Sequence, residues 1–254
     1  MKKSIYAALL LMGICVGSFI ITSCSKDEKE ESQPSEVAQE EDKASESGDG
    51  KDGSHEWVDL GLPSGTLWAT CNVGASKPEE YGDFFAWGET SPKSGYDWST
   101  YKYCKGTQET LTKYCLDSSC GYNGFTDALS ELLPEDDAAT ANWGSGWQMP
   151  NTKQIVELKS KTTMESKTVN GVSGMLITSK SNGKSIFLPA AGYHRWGAIQ
   201  DVGNDGRYWS RSLNTSDVNY KYTTRAFHLL LSSQHPIEDT FRAVGCSVRP
   251  VRKQ

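Results

Sequence analysis

The chain has 254 residues, with 32 acidic against 26 basic side chains and only four histidines. A net charge of −6 excludes the broad basic surface by which proteins hold nucleic acid. The length allows one domain with an appendage rather than several domains, and all eight tryptophans fall between Trp57 and Trp209, which places the core well away from the N-terminus.

The first element is an export signal. Two lysines precede the apolar run Ile5 to Ile21, and small Thr22 and Ser23 stand before Cys24. A charged start, a short apolar stretch and small residues before a break describe a cleaved leader. The competing reading is an uncleaved anchor, because the run is near the minimum length for a membrane span. Ile21-Thr22-Ser23-Cys24 resembles a bacterial lipobox, which implies that residues 1–23 are removed and that Cys24 is acylated. Several acyl chains on one residue hold a protein stably, each buried CH2 contributing about 0.8 kcal/mol. Lys26-Asp27-Glu28 then resembles the surface-export signal of Bacteroidetes lipoproteins. The expected location is the outer membrane, with the protein facing outward; a plain solvated tether is the alternative reading of these charges.

Residues 24–54 are predicted to be a disordered acidic tether. From residue 25 onward they hold 11 acids, 4 bases and no aromatic residue, too little apolar surface to offset the entropy of ordering. Removing leader and tether leaves residues 55–254 nearly neutral, so the acidity of the chain belongs to the tether.

Residues 55–254 contain no Pro/Ser/Gly-rich break and are predicted to be one domain. EWVDLGL and TLWATCNV flank Pro63-Ser64-Gly65 and predict a hairpin; GMLITSK and KSIFLPA flank Asn182-Gly183 and predict another. Two modest helices are expected, over Asp136 to Asn142 and over Asn151 to Lys161. The second has an N-cap in Asn151 and an apolar face in Ile155 and Leu158. GRYWSRS, RAFHLLL and GCSVRPV predict the closing strands. The class is therefore α+β, two short helices among mixed, mainly antiparallel sheets of short strands. Trp68, Trp87, Trp143, Trp147 and Trp209 are expected mainly in the core.

The residues that chemistry needs are sparse. His55, His194, His228 and His235 show no metal-ligand spacing, and no nucleophile elbow exists. Gly183-Lys184-Ser185 has the end of a phosphate loop without its first glycine and is better explained by the hairpin turn. Asp201 to Gly206 offers carboxylates for calcium without EF-hand spacing, and its residues are ordinary turn formers. No metal, cofactor or catalytic residue is expected. In an oxidising compartment Cys104 and Cys115 are one candidate disulfide, closing a short loop, with buried free thiols as the alternative.

Read in order, VDLGLPSGTLWATCNVGA, YGDFFAWGET, DDAATANWGSGWQMPN, SIFLPAAGY, YWSRS and GCSVRPV resemble the Fibrobacter succinogenes major paralogous domain of Bacteroidetes lipoproteins. The resemblance implies a C-type-lectin-like fold, in which first and last strands pair, two helices pack on the sheets and irregular loops form an outer face. Cys71 and Cys246, on the words expected to pair, are then a second candidate disulfide. The Glu-Pro-Asn and Gln-Pro-Asp triplets of calcium-dependent sugar binding are absent, so the fold does not by itself imply sugar recognition. Some variable proteins of diversity-generating retroelements share this fold, with their mutated region near the C-terminus.

The expected function is binding or adhesion at the cell surface, through the membrane anchor and an outer face that takes a protein or glycan ligand. A surface enzyme of unknown reaction and a structural envelope role are the alternatives. The face expected to bind runs through His194 to Asp201, Asn204 to Arg207, Leu213 to Arg225 and Ser232 to Phe241. Its candidate contacts are His194, Trp196, Tyr220, Tyr222, His228, His235 and Phe241.

Overall fold

The structure, a computed structural model, describes residues 48–216, 221–235 and 237–253. Cys24, the apolar run before it and most of the acidic segment lie outside the described residues. The fold begins earlier than the composition suggests. Gly50–Asp52, still within the acidic segment, form β1, which pairs antiparallel with β2 (His55–Asp59). Three residues suffice because β2 supplies the partner, and Lys184 Nζ holds Asp49 at 2.5 Å.

The predicted first hairpin is present: β2 pairs with β3 (Thr66–Ala69), Val58 opposite Trp68. Residues 70–137 then contain two 3-10 turns and no longer regular element. They pack on rings instead: Phe85, Trp87, Tyr96, Tyr101, Tyr103 and Tyr114 form one core cluster with Trp209 and Val248. Inside it, Asp136 accepts hydrogen bonds from the hydroxyls of Tyr103 and Tyr114 and from Lys113 Nζ. Burial pushes its carboxyl upward, but these three donors outweigh burial and hold it below the usual range.

Both helices form where the capping residues stand. Asp137 caps α1 (Ala138–Trp143) by accepting from the amides of Ala139 and Thr140. Asn151 and Gln154 make a reciprocal capping box at α2 (Thr152–Lys161), which buries Ile155 and Leu158. The second predicted hairpin lies within a three-stranded sheet, β4 (Thr162–Val169), β5 (Val172–Ser179) and β6 (Ser185–Pro189). That sheet and α2 share a second core cluster with Trp68, Tyr208 and Leu229. A small hairpin follows, β7 (Tyr193–Arg195) with β8 (Ala198–Gln200). β9 (Arg207–Leu213), β10 (Arg225–Leu230) and β11 (Glu238–Phe241) make the last antiparallel sheet, with β10 in the middle. β12 (Val251–Lys253) closes on β3, Val251 opposite Trp68.

The class is α+β: the described residues form two short helices and four small sheets. Every strand pair within the sheets is antiparallel, and parallel pairing occurs only as isolated bridges such as Gly192 with Gly206. Trp68, Trp87, Trp147 and Trp209 are fully buried, as expected. Trp143 is only half-buried, its indole stacked on the His55 ring at 3.8 Å.

Two expectations need correction. GCSVRPV is not one strand. Gly245, Cys246 and Ser247 bridge in turn to His194, Phe85 and Tyr208, so the segment crosses three neighbours before β12 begins. The five cysteines of the described domain are free thiols, so neither Cys104–Cys115 nor Cys71–Cys246 forms. Cys104 donates to Trp98 O at 3.0 Å and Cys115 to Asp117 O at 3.1 Å. Cys71 lies 3.5 Å from the Thr70 hydroxyl, and Cys246 is fully buried.

Candidate ligand-binding face

The β7–β8 hairpin is fastened at its base and bare at its tip. Gly192, at φ +71°, starts it, and a Cβ there would fall 1.9 Å from Gln200 O, so only glycine lets the chain pass. The backbone of His194 exchanges hydrogen bonds of 2.8 and 2.9 Å with Gly245. Tyr193 Oη donates to Gln200 Oε1 at 2.7 Å, and the Arg207 guanidinium lies 3.6 Å from the Tyr193 ring centre. The His194 ring packs on Tyr96 and Phe84, with ring centres 4.7 and 6.3 Å away. Burial lowers its pKa. His194 is thus an anchor of the hairpin rather than an outward contact.

Two residues make the turn, Trp196 and Gly197, both with positive φ (+52° and +75°). Glycine suits this conformation; tryptophan does not, and a bulky side chain is held there at a cost of roughly 1 kcal/mol or more. Trp196 is nonetheless 69% exposed, and Ile199 and Val202 farther along are 50% and 43% exposed. Half of the large apolar side chains exposed among the described residues therefore sit on this hairpin and the turn that follows it.

Arg195 connects the tip to the last sheet. Its guanidinium lies 3.9 Å from the Trp196 ring centre and 5.7 Å from that of Phe241. Arg225 lies 4.8 Å from the same Phe241 ring and is ion-paired to Asp239, which also accepts from Asn214 Nδ2 at 2.9 Å. Trp98 meets Phe241 edge-on at 6.1 Å. Trp196, Arg195, Phe241 and Arg225 form one row of alternating rings and guanidinium groups.

His235 belongs to another neighbourhood. Its Nδ1 lies 2.9 Å from Glu238 Oε1, which also accepts from Ser233 Oγ at 2.6 Å. Lys159 of α2 donates to the carbonyls of Ser233 and His235 at 2.7 and 2.5 Å. The varied composition of SSQHPIEDTF is explained in part by these local bonds, which hold the loop against α2. A groove of about 400 Å³ lies beneath it, lined by Lys159, Met164, Met175, Leu231, Ser233 and Gln234.

His228 requires correction. As a candidate contact it should face outward, but it is 2% exposed in the middle of β10. Burial alternates from Arg225 to His228 and puts His228 on the inward face with Ala226; the pattern breaks only at Leu229, which is buried as well. Tyr220 lies outside the described residues. Tyr222 is placed by its backbone, in the turn Lys221–Thr224, and its side chain is likewise outside the description.

Of the seven candidate contacts the structure brings Trp196 and Phe241 together. The link between them, Arg195, and the apolar neighbours Ile199 and Val202 went unnamed by the sequence reading. Arg-Trp-Gly at a hairpin turn is the one local signal for them, because strands of three residues are too short to show alternation. The Asp201–Gly206 segment folds as a turn in which Asp205 accepts from the amide and hydroxyl of Ser232 at 3.1 and 2.9 Å. Among the described residues no three His, Cys, Asp or Glu side chains stand together as a metal site. No family model, curated protein or solved structure matches this chain.

Proposed function

We propose that this chain is a lipid-anchored protein of the outer membrane surface whose C-type-lectin-like domain binds a macromolecule through the Trp196 hairpin and the adjoining Phe241 strand. The lectin-like reading is supported by the closure of β12 on β3, by two short helices and by the loop-rich stretch between β3 and α1. Anchoring rests on the residues around Cys24. Cys24→Ala should leave the protein unprocessed or released from the membrane fraction; normal lipid labelling of that variant would refute the assignment.

The observation that carries the binding reading is the pairing of a rigid base with an exposed apolar tip. A rigid scaffold that presents aromatic side chains loses little entropy on binding, and exposed apolar clusters mark interaction sites. The test is a screen of the full chain against a random peptide display library and a glycan panel. Binding to either should be weakened by Trp196→Ala with Ile199→Ser by at least about 30-fold, the usual loss when a central aromatic anchor is removed. The melting temperature should stay within a few degrees of wild type. Binding that survives both substitutions, or none to either panel, would sink the reading.

A further inference from the structure

We infer that the partner of this face is a protein segment that presents carboxylates beside apolar side chains. The inference rests on the binding reading above and narrows it to one class of ligand.

Three observations converge on it. First, the exposed patch is partly aliphatic. Ile199 and Val202 offer no ring on which a sugar can stack and no hydrogen bond for a hydroxyl, whereas they match the aliphatic and aromatic anchors of protein interfaces. Second, the nearest polar side chains are partly taken up within the fold. The His194 ring faces Tyr96 and Phe84, and Gln200 already accepts from Tyr193. Third, the cations outnumber their partners. Arg225 is paired with Asp239, but Arg195, half-buried between Trp196 and Phe241, has no carboxylate within ion-pair distance among the described residues.

An arginine braced on an aromatic ring keeps its outward N–H groups in a fixed fork, the geometry that takes a carboxylate through two parallel hydrogen bonds. A partner that covers Trp196 would also remove water from that ion pair and strengthen it. An anionic membrane would satisfy the arginine as well. It is disfavoured by Asp201, an exposed acid directly after β8 and beside the apolar patch.

The test uses the full chain and a random peptide display library, followed by synthetic copies of the enriched peptides. Enriched sequences should combine Asp or Glu with aromatic or aliphatic residues. Arg195→Gln should weaken them by about 10-fold and Arg195→Glu by about 100-fold or more, in keeping with loss and then reversal of one interfacial charge pair. Peptides with Lys in place of the acid should bind Arg195→Glu better than wild type, a recovery that an unfolded variant could not show. Enriched peptides without acids, or acidic peptides indifferent to both Arg195 variants, would overturn the inference. So would Trp196-dependent binding confined to the glycan panel, or to vesicles of phosphatidylglycerol and phosphatidylcholine. In the glycan case the binding reading stands and only this inference falls; with no ligand from any panel, both fall.

Discussion

His228→Leu should make the domain markedly more resistant to acid. His228 lies in the central strand of the last sheet, 2% exposed, and neither ring nitrogen has a hydrogen-bond partner among the described residues. Its ring meets Trp209 edge-on at 6.0 Å. Burial, and after it the nearby positive charges of Arg207 on β9 and Arg225 on β10, lower its pKa to about 3. Glu238 is its cross-strand neighbour on β11, but that carboxylate is taken by Ser233 and His235.

The sign follows from which state takes the proton. An unfolded chain protonates this histidine near pH 6.5, whereas the folded one refuses the proton until about pH 3. The stability is therefore whole above pH 6.5 and declines as pH falls from there towards 3. A gap of this size corresponds to a loss of up to about 5 kcal/mol, at roughly 1.4 kcal/mol per pH unit. Leucine at position 228 abolishes that component. At neutral pH the variant should equal or exceed wild type by about 1 kcal/mol, because an unsatisfied buried polar ring is replaced by an apolar side chain of similar size. Urea denaturation at pH 7 and pH 4 measures both effects. Parallel losses in wild type and variant between the two pH values would show that His228 takes its proton in the folded state as readily as in the unfolded one, and so reaches water.

Arg242→Met should have a comparable cost at every pH. Arg242 is wholly buried, and it donates to backbone carbonyls of Lys113 (2.9 Å), Tyr114 (2.7 Å) and Thr223 (2.9 Å) and to the Tyr101 hydroxyl (3.0 Å). Its guanidinium also lies 5.1 Å from the Trp87 ring centre. A buried ion pair can often be exchanged for apolar residues, because both charges leave together. Here the acceptors are main-chain carbonyls, which no substitution removes. Methionine would strand them, at about 3–5 kcal/mol. For a domain of this size that is a fall of roughly 10 °C in melting temperature. Lysine should not rescue it, since one ammonium cannot reproduce the fork. Calorimetry on the three proteins decides the matter; a Met variant melting within 2 °C or so of wild type would mean that the loop carbonyls find other donors.

The elements readable from the sequence are those whose cause is local. Gly65 and Asn182-Gly183 mark hairpin turns because a positive φ is needed within two residues of each strand. Asn151 marks a helix start because a capping side chain reaches only the amides two or three positions ahead, whereas the first helix, expected from Asp136, begins after the Asp137 cap. The buried tryptophans are legible too, since so large an apolar surface is most stable out of water wherever it stands in the chain. Three dimensions decided the rest. The segment 70–137 has no period to read, as its order comes from rings meeting across the chain, such as Trp87, whose Nε1 donates to Ser210 O at 2.8 Å. Arg249, a charged side chain near the end of the chain, is buried. The Asn72 side chain and the carbonyls of Ala69, Thr70 and Phe187, all distant in sequence, surround its guanidinium and replace its water. His228 lies on the inward face of β10 with Ala226, a choice of face that alternation alone leaves open. Arg195 gained its place between two rings only because β11 brings Phe241 beside a hairpin more than forty residues earlier. Whether a charged or polar side chain is buried depends on acceptors and rings supplied by remote segments, and those are set by tertiary packing alone.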